Sequence, residues 1–332
     1  MSGTRLLIID ATTPKPYSAA SLLTDPIGGS EATCIRVAEG LAEKKHYRVT
    51  VAQHNRETKD SGYADYVPLD GIESLRPDAV IMMRKVELMP YVQKKFPSAK
   101  KFLWMQDFNQ QDLVSESEMI QDSGLRILGV SRTHKTRIID ALLTQVKEIK
   151  GVTVDFVYNA VPDDLGSVIR RPNPNKLVFF SSPHKGLENT LKIFGKLREL
   201  HPEFELHIAN PGYYENKLTL PDGVVNHGML THAAMMEQLS DAFAVFHLND
   251  TFPETFGIVH AEACALGIPT ITAGHGANRE ILGASEFIVN IKDTEAVIKK
   301  VEKWMLSRPT PVLNPELRLS AVLNKWNEVL EK

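Results

Sequence analysis

Only two of the 332 residues are cysteine, Cys34 and Cys264. They stand far apart in stretches of helical pattern. That excludes a disulfide framework and reads both as small buried apolar side chains in a reducing compartment. Long hydrophobic runs are also missing. No segment reaches the roughly 18 uncharged apolar residues that a membrane span needs. Met1–Arg5 runs straight into Leu6–Ile9 and then Asp10, too short an apolar core for a secretory signal, so a cytoplasmic location is expected. Peripheral membrane contact through an amphipathic patch stays open. Nor is there an excess of one charge. Against 38 basic residues stand 41 acidic ones, a net charge of −3, whereas a dedicated nucleic-acid binder normally shows a basic face or tail. No nucleic-acid partner is expected. Short repeats and low-complexity tracts are absent. The eleven histidines show no HExxH-like spacing, and there is no GxSxG elbow and no P-loop. Zinc-hydrolase, serine-hydrolase and P-loop readings therefore fall away, and no metal site is expected.

What the chain does contain is alternating β and α pattern. Short apolar runs at Leu6–Ile9, Arg48–Val51, Ala79–Met83, Lys101–Met105 and Arg126–Val130 read as buried parallel strands, with a helix from Ser30 and another over Thr133–Leu143. Ser30, after Gly28 and Gly29, reads as an N-cap. After Val154–Val157 the pattern breaks at a turn-rich stretch, and Arg170–Asn175 has linker composition. A second series follows. Strands are expected at Leu177–Phe180, Glu205–Ala209, Ala244–Leu248 and Pro269–Thr272, and helices at Leu187–Leu200 and Thr231–Ser240. Two long helices, Thr294–Leu306 and Pro315–Leu330, close the chain. The fold class is α/β, two doubly wound Rossmann-like domains of comparable size hinged near residue 165. Ligands in open α/β sheets bind at the C-terminal ends of strands, so the site is expected in the cleft between the halves.

Glu254 and Glu262 are the most informative pair. An apolar strand leads into Glu254-Thr255-Phe256-Gly257-Ile258, and the helix that follows carries Glu262 in its second turn. Both carboxylates sit in apolar sequence, where an unpaired charge is costly. A helix start offers unpaired N–H groups and the positive end of a dipole, so this turn fits a phosphate together with a polyhydroxyl group. Ser181-Ser182-Pro183-His184-Lys185-Gly186 follows the first strand of the second half, and Lys185 there suits neutralisation of a phosphate. Gly28 and Gly29 hold a corresponding place after the first strand of the chain. Asp107, just past a strand, fits either an acceptor-orienting group, a stabiliser of positive charge on a sugar, or a structural cap. Gly274–Arg279 nearly matches a dinucleotide fingerprint, with Asp293 nineteen residues beyond Gly274. It ends in Arg and lies outside a first βαβ unit, so its glycines read as backbone approaching the ligand of Glu254 and Glu262.

These residues resemble the retaining glycosyltransferases of GT-B fold, of the family 4 (group 1) type, whose mark is two glutamates with seven residues between them. Pro253–Ile258 with Ala261–Pro269 is similar to that motif, Asn278–Leu282 resembles the segment after the family's Gly-Gly turn, and Asn159–Pro162 resembles its Asn-Gly-Ile/Val. Two positions depart. Phe180 stands where the family commonly has an arginine, five residues before Lys185, and Ala277 replaces the second glycine of the turn.

The resemblance implies a nucleoside-diphosphate sugar bound mainly by the second domain. Glu262 would bond the ribose, and Glu254 with the amides of Phe256, Gly257 and Ile258 would face the sugar and phosphate. Ser181, Ser182 and Lys185 would hold the diphosphate, with Gly28 and Gly29 against it, and the last helix would pack back on the first domain. The expected organisation is residues 1–165 on the acceptor side, 166–312 on the donor side and 313–332 as the returning helix. The expected activity is metal-independent, retaining transfer of a sugar to a hydroxyl of a glycan, lipid or small molecule. It takes no cofactor, and Glu254, Lys185 and Asp107 are its catalytic candidates. A sugar-nucleotide epimerase of the same architecture, or a catalytically weak sugar-nucleotide-binding subunit, are the alternatives.

Overall fold

The computed structural model describes residues 3–45, 47–108, 111–167, 170–210, 219–249 and 251–332. In chain order the first half holds β1 (Arg5–Asp10), α1 (Ser21–Thr24), α2 (Gly29–Lys45), β2 (Arg48–Gln53), β3 (Asp60–Ser61), β4 (Asp65–Pro68), β5 (Ala79–Met83), α3 (Met89–Lys95), β6 (Lys100–Trp104), α4 (Gln111–Ser115), β7 (Arg126–Gly129), α5 (Arg132–Leu142) and β8 (Thr153–Phe156). The second holds β9 (Lys176–Phe180), α6 (Leu187–Leu200), β10 (Glu205–Asn210), β11 (Val224–Met229), α7 (His232–Leu239), β12 (Ala244–His247), α8 (Ile258–Ala265), β13 (Thr270–Thr272), α9 (Asn278–Leu282), α10 (Thr294–Leu306) and α11 (Leu319–Glu331).

Two compact units result. The first comprises residues 1–20, 30–160 and 319–332; the second comprises 21–29 and 161–318. The first unit is built on an eight-stranded sheet of order β3-β4-β2-β1-β5-β6-β7-β8, parallel except for the short antiparallel β3. Its central strands β1, β5 and β6 carry continuous apolar runs, the pattern of strands buried on both faces. One side of the sheet contributes Leu7, Ile9, Val80, Met82 and Leu103 to a cluster closed by Val92, Phe96 and Ile138. Helix α11 belongs to this unit. Trp326 meets Trp104 edge-on with ring centroids 4.8 Å apart, and the final carbonyls of the helix accept from Lys100 and Arg126. Basic side chains there satisfy C-terminal carbonyls that helix geometry leaves open.

The second unit holds a five-stranded parallel sheet, order β11-β10-β9-β12-β13. Its chain starts at the centre with β9, goes outward through β10 and β11, then returns to the other side of β9 at β12. The order therefore reverses between β9 and β12, and loops leaving the C-terminal ends of those two strands flank one crevice. Caps set the helix starts. Thr231 accepts from the Ala234 N–H at α7, and Asp293 from the Ala296 N–H at α10.

Several local expectations change. Helix α2 begins at Gly29, so Ser30 is its second residue and not its cap. Strands β4 and β11 were not foreseen; β11 is a half-exposed edge strand without a continuous apolar run. The expected helix 315–330 is interrupted. A short 3-10 turn, Pro315–Leu317, precedes α11, and Arg318 between them is extended. Its guanidinium donates to the carbonyls of Pro162 and Leu165, each at 2.8 Å, which fixes the chain there in a non-helical path. Residues 21–29 join the second unit because α1 packs on α7. No helix among the described residues is long and apolar enough to cross a membrane.

Candidate active site

The two loops at the order reversal of the second sheet carry the main candidates. Residues 181–186 follow β9, and residues 248–257 follow β12. Hydrogen bonds tie the second loop to the first turn of α6, which follows the first loop. Asn189 donates to the Leu248 carbonyl at 2.9 Å, and the Leu248 N–H donates to the Thr190 hydroxyl at 3.2 Å. Gly186 sits at φ 89°, and a Cβ on it would lie 2.5 Å from the Asn249 Cα, so only glycine lets the loops approach this closely.

Across this join the Lys185 ammonium donates to Glu254 Oε2 at 2.9 Å. The Glu254 side chain is 7% exposed and that of Lys185 32%. Burial is the largest single influence on the Glu254 pKa and raises it; the Lys185 charge and hydrogen bond, together with His247 and His260, outweigh it and bring the value down to about 2. Glu254 is thus a carboxylate held ionised inside the protein. Its backbone is fixed from the next loop, where the Ala277 N–H donates to the Glu254 carbonyl at 2.8 Å and Gly276 forms a parallel bridge with Glu254. The near-fingerprint at 274–279 therefore braces the Glu254 loop with its own backbone.

Gly257, at φ 83°, turns the chain into α8. The first-turn N–H groups of that helix lack intrahelical carbonyls by geometry, next to the Lys185 and Glu254 charges. Gly29 lies here too; a Cβ on it would come within 3.1 Å of Ile258. Phe256 is buried and packs in the interior, while Thr255 and Ile258 are half-buried. Glu262, in the second turn of α8, is buried and meets His232 Nε2 through Oε1 at 2.6 Å. Ser181 and Ser182 are half-buried in the Lys185 loop, and the Lys185 N–H donates to the Ser182 carbonyl. The second unit thus gathers Gly28, Gly29, Ser181, Ser182, Lys185, Glu254–Ile258 and Glu262. Asp107 lies in the first unit, at the C-terminal end of β6. Its half-exposed carboxylate is 3.7 Å from Arg84 Nε, and Arg84 also reaches Glu31 at 3.5 Å.

Sequence reasoning passed over several residues. His247 and His260 are fully buried behind Glu254, their rings edge-on at 5.0 Å. Burial, with a smaller contribution from the neighbouring ring, lowers His247 to about 3, and burial lowers His260 to about 4, so both are neutral. His247 Nε2 is 4.0 Å from Glu254 Oε1. Arg84 adopts φ 64°, an uncommon backbone state for a side chain other than glycine, at the order reversal of the first sheet. Only Arg84 left a signal, as a polar residue just beyond a strand end; His247 lies within β12 and His260 within α8. Phe180, in place of the family arginine, is buried in the cluster of Val178, Met235 and Leu239. Alternation along β9 turns position 180 toward that core. Among the described residues no group of three or more His, Cys, Asp or Glu side chains is arranged to hold a metal ion.

Residues 169–317 match the family model described as glycosyl transferases group 1. No curated protein sequence matches the chain. Among solved structures, sucrose-phosphate synthase from Thermosynechococcus elongatus aligns at 12% identity over 99% of this chain and 98% of that one, with a TM-score of 0.73. AviGT4, a glycosyltransferase involved in avilamycin A biosynthesis, aligns at 12% over 99% and 97%, with a TM-score of 0.62. The lipopolysaccharide outer core galactosyltransferase WaaB aligns at 15% over 99% and 99%, also at 0.62. At such identities the likeness is one of fold, and both sheets take part in it. With the family match across the unit that holds Lys185, Glu254 and Glu262, residues 169–317 form a glycosyl transferases group 1 domain, and the chain that carries it is a glycosyltransferase of GT-B fold.

Proposed function

We propose that the protein transfers a sugar, with retention at the anomeric carbon and without a metal ion, from a nucleoside-diphosphate sugar to an acceptor hydroxyl of a glycan, lipid or small molecule. The observation that carries this reading is the Lys185–Glu254 ion pair beside the start of α8, with Glu262 one turn further along. The two carboxylates then take different partners. Glu262 accepts from the ribose hydroxyls, and Glu254 accepts from hydroxyls of the sugar being transferred. Lys185, a third exposed, exchanges its bond to Glu254 for the diphosphate, and the first-turn amides of α8 share the charge that develops as the diphosphate leaves. Glu254 is engaged by Lys185 instead of standing as an isolated nucleophile, which favours attack on the face the diphosphate leaves. The acceptor oxygen bonds to the anomeric carbon, the bond to the diphosphate oxygen breaks, and the acceptor proton passes to that oxygen. The acceptor is assigned to the first unit, with Asp107 as its orienting group. The reading includes a cytoplasmic location, supported by the low cysteine count and the lack of an apolar run of membrane length, and chemistry without a cofactor.

The test is a transfer assay over UDP-, GDP-, ADP- and dTDP-sugars, with product stereochemistry read by NMR. Expected are an anomerically retained glycoside, activity in the presence of EDTA, and loss of at least about 100-fold in Glu262→Ala, an ionic multi-bond contact being worth several kcal/mol. An inverted product, an epimerised free nucleotide sugar, a requirement for divalent ions, or full activity in Glu262→Ala would each overturn the proposal.

A further inference from the structure

Glu262 is held from one side by a residue that sequence reasoning placed only among unassigned histidines. Its Oε1 lies 2.6 Å from His232 Nε2, with the two side chains 4% and 16% exposed. An ionised carboxylate only accepts, so the ring carries a proton on Nε2 and donates it. A hydrogen bond to a charged acceptor with so little water around it is among the stronger kinds.

The bond is not what holds the two helices together. His232 opens α7 and Glu262 lies in α8; Met235, Met236 and Leu239 of the one share an apolar cluster with Ala263 and Leu266 of the other. Packing therefore sets both backbones. What packing does not set is rotation of the carboxylate about its last torsion, which is broad for a glutamate. A 2.6 Å donor fixed on another helix sets that rotation.

We propose that His232 is a positioning residue for nucleotide recognition: it fixes the plane of the Glu262 carboxylate so that this group meets the vicinal hydroxyls of a ribonucleoside diphosphate. His232 thereby gives the site its preference for ribose over a sugar without those hydroxyls. The inference rests on the reading of Glu262 as the ribose-binding group, and deepens it.

The experiment titrates wild-type protein with UDP, GDP and ADP by calorimetry, and uses whichever binds most tightly together with its 2′,3′-dideoxy counterpart. His232→Leu removes the donor; His232→Gln places an amide N–H at nearly the same reach. Expected is a loss of at least about tenfold in affinity for the ribonucleotide in His232→Leu, recovered to within about threefold in His232→Gln. The dideoxy compound should bind wild type and His232→Leu equally. If His232→Leu does not fold, His232→Asn, whose amide is too short to reach Oε1, replaces it. Unchanged ribonucleotide affinity in the variant, or an equal loss for the dideoxy compound, overturns the role of His232 while leaving the nucleotide site standing. Failure of all three ribonucleotides to bind wild type overturns the reading of Glu262 as the ribose-binding group and this inference with it.

Discussion

Replacing Lys185 with methionine keeps an unbranched side chain, one atom shorter, and removes its charge. The consequence follows from Glu254. In the folded protein that carboxylate has a pKa of about 2 against an ordinary 4.5, because the Lys185 charge and hydrogen bond, the main lowering influences, act with His247 and His260 against burial. A folded-state value below the unfolded one adds stability that is present above 4.5 and is lost as the pH falls from 4.5 toward 2. At about 1.4 kcal/mol per pH unit, that interval corresponds to about 3 kcal/mol at neutral pH. Direct removal of one partner of a buried pair is put at about 3–5 kcal/mol, which agrees. Lys185→Met should thus lower the melting temperature at pH 7 by about 6–12 °C, given the size of the second unit. The cause is specific: a carboxylate buried without its cation. Glu254→Gln added to Lys185→Met should therefore recover most of the loss, because the amide needs no counter-charge. The assay is a four-member cycle of wild type, both single variants and the double variant, melted at pH 7. A Lys185→Met protein as stable as wild type, or a double variant less stable than Lys185→Met, would refute the account of Glu254.

Three further outcomes are expected. His134, His247 and His260 are buried neutral, with burial holding them near 4, 3 and 4 against 6.5 in the unfolded chain, so protons bind the unfolded state first and stability falls as pH drops below 6.5. His247→Phe, which keeps the stacking on Phe179, should flatten that fall by about 1.4 kcal/mol per pH unit between pH 6.5 and 4.5 in denaturant titrations; an unchanged slope would count against neutral burial. Gly257→Ala forces φ 83° on alanine and sets its Cβ 2.7 Å from the His260 ring, so a loss of about 1–3 kcal/mol is expected, and an unaltered melting curve would contradict the strain. Trp326→Ala empties a fully buried contact with Trp104 and should destabilise the first unit by about 3–5 kcal/mol in chemical denaturation, an effect below about 1 kcal/mol being the opposing result.

Much of the architecture was legible in one dimension, because strands and helices declare themselves through local period. The helices 187–200 and 294–306 lie where their apolar spacing put them. Continuous apolar runs marked β1, β5 and β9 as strands covered on both faces. Edge elements were harder. Strand β11 is half-exposed and lacks a run, and β3 has only two residues. The break at Arg318 is invisible locally as well, since its cause is a pair of carbonyls about 155 residues earlier in the chain.

For the site, the sequence by itself determined which groups are present and how they are carried: a lysine on a loop after one strand, a glutamate before a glycine turn, and a second glutamate in the helix that follows. Spacing along the chain suffices for that, because a turn and a helix start are made by neighbouring residues. Which groups meet was decided only by tertiary structure. Lys185 and Glu254 are 69 residues apart and come together because β9 and β12 are adjacent where the sheet order reverses, and strand order is a property of the whole sheet. His232 reaches Glu262 because α7 and α8 share one apolar cluster, and Phe180 turns inward because the alternation of β9 faces it to that same cluster. Protonation follows from the same cause. Glu254 is held ionised and His247 neutral by burial and by charges brought from elsewhere in the fold, and neither is encoded in the residues beside them.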